Sequence, residues 1–138
     1  MGINAAIAGY YKVPVILPTG DTETCAQARA LFGEGIVTVA VKEPTGRFAA
    51  RMYPAEDARR RLKEAAKEAL AKRSRIEPFR IAGPIAFDVE FHNSGQAEMP
   101  AMLPGVRRSA PRAVSFSATD YVEGFKLLRA IIALAGIS

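Results

Sequence analysis

Two short apolar runs, Val13 to Leu17 (VPVIL) and Ile36 to Val41 (IVTVAV), flank the helical stretch Thr22 to Phe32 (TETCAQARALF). Strands that are apolar at nearly every position, rather than at alternate ones, belong to parallel sheets covered on both faces. Parallel neighbours need a crossover, and strand, helix and strand follow one another here within about 30 residues, the length of a right-handed βαβ unit. Pro14 sets the first strand near a sheet edge or at a strand start. PTGD between strand and helix reads as a turn, with Asp21 placed to cap the helix and Gly33-Glu34-Gly35 to stop it.

Around this unit the pattern extends in both directions. Gly2 to Tyr11 reads as a helix of small residues with no strand before it from which a crossover could start. MGINAAIAGYY therefore reads as interior sequence, and Met1 as an internal methionine of a longer fold. Past the second strand, KEPTGRFAARMYP reads as a long loop carrying Lys42, Glu43 and Arg47 beyond a strand's carboxyl end, where ligands gather in open α/β sheets. A lysine and an arginine there suit a carboxylate or phosphate, by point charge and by a bidentate fork, and serve equally well as solvated loop charges.

Pro54 opens a long amphipathic helix in which Ala58, Leu62, Ala65, Ala66, Ala69 and Leu70 follow the i, i+3, i+4, i+7 pattern. Glu56 with Arg60, Asp57 with Arg61 and Glu68 with Lys72 are spaced to pair along its outer face. After the linker IEPFRIAGP the period changes to two, with Ile85, Phe87, Val89 and Phe91 alternating with Ala86, Asp88, Glu90 and His92. NSGQAEMPAMLPG is a loop or short helix, and residues 106–108 and 113–117 form further antiparallel strand. Ser117 with Asp120 is a capping-box-like start for a closing helix whose apolar surface is Tyr121, Phe125, Leu128, Ile132 and Leu134. The expected class is α/β: a βαβ unit with a small parallel sheet, then a long helix, antiparallel strands and a closing helix. It is a single domain over residues 1–138, with a βαβ part at 1–43 and an αββα part at 44–138, and looks like an incomplete three-layer fold.

Composition narrows the functional classes. At 49% hydrophobic and 24% charged the chain is an ordinary globular protein. A single cysteine, Cys25, excludes an internal disulfide and reads as a buried thiol. The start lacks a basic n-region and cleavage site, and LLRAIIALAGI falls well short of the roughly 20 residues that span a bilayer, so a cytoplasmic location without a membrane segment is expected. The net charge of +5 gathers in residues 59–75 and in Arg107, Arg108 and Arg112, but the first cluster is interleaved with acids and has no aromatic to stack bases, which argues against nucleic acid. With one histidine, one cysteine and no clustered carboxylates, no zinc ligand set is legible, and no catalytic residue is assigned. His92 reads as a surface residue.

GINAAIAGYYKVPVILPTGD, TVAVKEPTGRFAARMYPAEDA, FHNSGQAEMPAMLPGV and VSFSATDYVEGFKLLRAIIAL resemble, in order and spacing, the C-terminal half of the bacterial and archaeal D-aminopeptidases, zinc metallopeptidases associated with dipeptide transport. The resemblance implies a cytoplasmic homo-oligomeric ring that removes N-terminal D-amino acids from short peptides at a two-zinc centre. It also implies that the metal ligands lie in the N-terminal half, the last of them just before the position Met1 occupies. It makes Asn4, Lys42, Arg47, Asn93 and Gln96 substrate or supporting candidates, with Gly46 where the family usually has serine, and gives His92 no ligand role. Two expectations follow. Either the chain is the C-terminal portion of such an enzyme, competent only with a separate N-terminal metal-binding half, or it is a non-catalytic oligomeric binding or structural module of the same descent.

Overall fold

Asp21 marks where regular crossover structure begins. Its carboxylate accepts a hydrogen bond from the Thr24 backbone N–H at 2.7 Å and so caps the helix that follows. The computed structural model describes residues 1–137 and divides the chain into two compact units, Met1–Arg80 and Ile81 onward. The division falls within the stretch read as a linker.

The first unit runs α1 (Gly2–Tyr10), β1 (Thr19–Asp21), α2 (Thr22–Phe32), β2 (Val39–Gly46), β3 (Ala49–Met52) and α3 (Ala55–Lys72). Its three-stranded sheet has the order β1-β2-β3, with β1 parallel to β2 (Thr19 opposite Val39) and β2 antiparallel to β3. The βαβ unit is therefore present, with its ladder displaced from the expected positions. Val13 to Leu17 forms no ladder, and pairing starts only where the Pro18 carbonyl accepts from Val39 N–H at 3.3 Å. Pro14 and Pro18 each remove a donor, which explains why a short strand fails to start between them. The PTGD turn is corrected likewise, since Thr19 to Asp21 is itself β1.

The expected loop after the second strand is a β-hairpin, with Lys42 opposite Met52 and Glu43 opposite Arg51. A Glu43–Arg51 ion pair at 2.8 Å bridges its strands. FAARM has neither the alternation nor the β-branched residues that announce a strand. α3 buries Ala65 and Ala69 against Val37 and Val39, with Ile16, Leu17, Val41 and Leu62 at the margin. On its outer face Glu68 pairs with Lys72 as spaced, but Arg60 takes Asp57 at 2.9 Å and Glu64 at 3.9 Å, and Arg61 lies over the Tyr53 ring at 5.4 Å. α1 turns Ala5, Ala6 and Gly9 inward. A Cβ on Gly9 would stand 1.8 Å from the Phe79 carbonyl oxygen, so only glycine permits this approach. Cys25 is buried in α2.

The second unit contains β4 (Ile85–Glu90), β5 (Arg107–Ala110), β6 (Ala113–Ala118) and α4 (Tyr121–Ala135). β6 lies between β4 and β5, antiparallel to both. Val106, Val114, Phe116, Leu128 and Ile131 form its core around Ala97, and the Phe87 and Phe116 rings stack at 4.6 Å. Asp120 alone caps α4, accepting from Val122 and Glu123 N–H, while Ser117 belongs to β6, so the expected capping box is not formed. α4 buries Tyr121, Gly124, Leu128, Ile131 and Ala135, whereas Phe125 and Leu134 are half-buried and Ile132 is exposed.

Candidate functional site

Where β1 ends and α2 begins, the chain places Asp21 opposite Lys42 of β2, with a bulge between Gly20 and Asp21 that shifts the register. The carboxyl end of a parallel strand is a favoured ligand position because the following helix N-terminus and the neighbouring loop both open there. The Thr24 backbone N–H and then the Thr24 hydroxyl hold the Asp21 carboxyl below its ordinary value, against an opposing effect of burial that outweighs the further lowering by the charge of Lys42. The Asp21 carboxylate and the half-buried Lys42 thus stand on paired positions of neighbouring strands. Such a couple can orient a peptide through its amine or its carboxylate. From sequence Asp21 reads only as a cap; its place at a strand's carboxyl end was the available signal for more.

The other candidates are spread out. Arg47 sits at the tip of the β2–β3 hairpin, at the opposite end from Lys42, with its guanidinium 5.1 Å from the centre of the Phe48 ring. Phe48 is itself 92% exposed. Asn4 is exposed on α1. In the second unit Asn93 and Gln96 build the loop after β4: Asn93 Oδ1 accepts from Gln96 N–H at 3.1 Å, and Gln96 Oε1 accepts from His92 N–H at 3.2 Å. Two arginines steady the same loop. Arg108 donates to the Ser94 carbonyl at 3.1 Å, and Arg112 donates to the His92 carbonyl at 3.2 Å while pairing with Glu90 at 2.6 Å. Sequence reasoning counted these arginines only as surplus charge. Their task as loop clamps depends on antiparallel pairing that brings residues 90 and 112 together, and so was not legible from spacing.

The first unit also carries a cavity of about 590 Å³ walled by Leu31, Phe32, Ile36 and Phe79 with Lys72 and Arg75 at its margin, and none of the five candidates lines it. A zinc centre needs three or four convergent nitrogen, sulfur or carboxylate donors. Among the described residues no three of His, Cys, Asp and Glu gather. Cys25 is buried and His92 exposed, and among the described residues the donor set does not fit a zinc site.

A family profile described as peptidase M55, D-aminopeptidase, matches residues 1–130. The D-aminopeptidase of Bacillus subtilis (strain 168) is 32% identical over 136 residues, which is 98% of this chain and 49% of that protein. Among solved structures, the Zn-dependent D-aminopeptidase DppA from Bacillus subtilis, a self-compartmentalizing protease, superposes with a TM-score of 0.93 at 30% identity, over 99% of this chain and 50% of that one. The chain thus spans about half the length of the relatives it matches. The resemblance carried by the Gly-Ile-Asn-Ala start and the Leu-Pro-Gly loop agrees with all of these matches, and the chain belongs to the D-aminopeptidase family, peptidase M55.

Proposed function

We propose that this chain is the C-terminal portion of a D-aminopeptidase that releases N-terminal D-amino acids from short peptides, inactive alone and competent once joined by an N-terminal, metal-binding half. The observation that carries this reading is the near-complete match of the chain to half of each relative. In it the metal centre belongs to the other half, and this chain supplies frame and pocket wall. Lys42, in register with Asp21, binds the peptide's carboxylate or a backbone carbonyl. Asn4 and Arg47 remain further substrate candidates in the first unit, and Asn93 and Gln96, which build the loop after β4, in the second. Copies assemble in the cytoplasm into a homo-oligomer that encloses the sites; the self-compartmentalizing description of the Bacillus subtilis structure supports the enclosure. No helix among the described residues is long and apolar enough to cross a membrane.

The test is complementation. The purified chain is mixed, with zinc, with the half of the Bacillus subtilis D-aminopeptidase that it does not match, and release of D-alanine from a D-alanyl peptide is followed. Activity confined to the mixture supports the proposal. Equal activity from the chain alone, or none in a mixture shown to associate, overturns it; the second result identifies a non-catalytic oligomeric module.

A further inference from the structure

The cavity of about 590 Å³ in the first unit has no part in the site described above. Its walls come from three places: the end of α2 (Leu31, Phe32), the approach to β2 (Ile36) and the segment after α3 (Phe79). Local contacts hold these walls apart. The Phe79 backbone lies against Gly9 of α1 while its ring meets Phe32 edge-on at 5.7 Å, so Phe79 is fixed from two sides. Across from it the wall has a gap, because Gly35 carries no side chain and a Cβ there would meet nothing within 4 Å. A space of this size, lined by aliphatic and aromatic groups, lies in the range of small-molecule sites. Water in such a space finds few partners, and an apolar group that displaces it gains.

The margin of the cavity is unevenly charged, with Lys72, Arg75 and Arg80 against Glu77. Two of the three cations are engaged. Lys72 pairs with Glu68, and Arg80 Nε donates to the Gly9 carbonyl at 3.3 Å. Arg75 ends the short turn that follows α3, where Arg73 already takes the Leu70 carbonyl at 2.9 Å. Its guanidinium is exposed and has neither an ion pair nor a hydrogen bond among the described residues. We infer that this cavity binds a small apolar monocarboxylate, with its hydrocarbon body between Phe32, Ile36 and Phe79 and its carboxylate at Arg75. A neutral apolar molecule meets the same walls and gains nothing at the margin, whereas a carboxylate matches the planar fork of the guanidinium. The inference stands apart from the proposed peptidase activity, since no residue proposed to hold the peptide lines the cavity.

Titration of the isotope-labelled whole chain with octanoate, octanol, octylamine and acetate, followed by chemical shifts, tests this. Octanoate is expected to saturate one site, with its largest shifts at Leu31, Ile36 and Phe79. It should bind about threefold or more tightly than octanol, although octanol is the easier of the two to desolvate. Octylamine, which brings a like charge to the margin, and acetate, which lacks the apolar body, should each bind at least about tenfold more weakly than octanoate. The exposed substitution Arg75→Gln is expected to weaken octanoate about threefold and to leave octanol unchanged, whereas Leu31→Gln weakens both. No saturation by octanoate at about 10 mM, octanol binding as tightly as octanoate, or octanoate binding unmoved by Arg75→Gln each overturns the inference. The titration is repeated with the unmatched half of the Bacillus subtilis D-aminopeptidase present. Octanoate binding that persists supports the site, and displacement of octanoate by that half shows that polypeptide fills the cavity and overturns it.

Discussion

Asp21 serves two structures at once, since the oxygen that accepts from Thr24 N–H belongs to a carboxylate that also faces Lys42. Its pKa is lowered in the folded chain, so the folded state holds this proton more weakly than the unfolded state. The contribution of the group is therefore fully present above the ordinary aspartate range and fades as pH falls through the lowered folded value. Urea midpoints measured across the acid range will show this as a loss that Asp21→Asn flattens; parallel curves for the two proteins would count against it. Gly9 makes a different residue-scale case. Because a Cβ there meets the Phe79 carbonyl oxygen, Gly9→Ala is expected to destabilise the chain by about 1–3 kcal/mol in urea unfolding. Asp21 was readable from its neighbours, being an acid placed just before a helical pattern. Gly9 was not, because its constraint comes from a residue 70 positions later, Phe79.

Among the elements, α4 shows how helical phase is lost in an apolar segment. Ile131 and Ile132 are adjacent and chemically identical, and the periodicity of YVEGFKLLRAIIALA permits either to face inward. The core decides: Phe87 admits the helix only along Gly124, where a Cβ would come 2.4 Å from its ring, and that choice turns Ile131 inward. Glycine reads as a gap in an apolar stripe, and here it is the point of closest contact. Ile131→Ala should then cost about 2–5 kcal/mol, while Ile132→Ala stays within about 0.5 kcal/mol of wild type, and equal losses in thermal or urea unfolding would refute the assignment. The β2–β3 hairpin was hidden for the opposite reason. Its strands are held by ladder pairing and the Glu43–Arg51 ion pair, neither of which leaves a hydrophobic period in the sequence.

At the scale of the whole molecule, the order of the elements other than β1 and β3 was legible because apolar runs, helical periods and the change to period two each report burial locally. The candidate site was legible only in part. Lys42 could be picked out as a charge next to a strand end, but Asp21, Arg108 and Arg112 acquire their tasks from pairings between distant residues. The same reasoning governs metal. Tight zinc binding requires several deprotonated donors brought together by the fold, and the affinity then becomes folding free energy. In this chain the described residues bring no three such donors together. Purified alone and passed through gel filtration, the chain is therefore expected to retain zinc well below one ion per molecule, and a chelator should leave its melting temperature unchanged. The complemented mixture should lose its peptidase activity to the same chelator and recover it with added zinc. A tightly held, stoichiometric ion in the isolated chain, with a melting temperature that falls on chelation, would show that this half carries a metal site of its own and would remove the reason for assigning the metal centre to the other half.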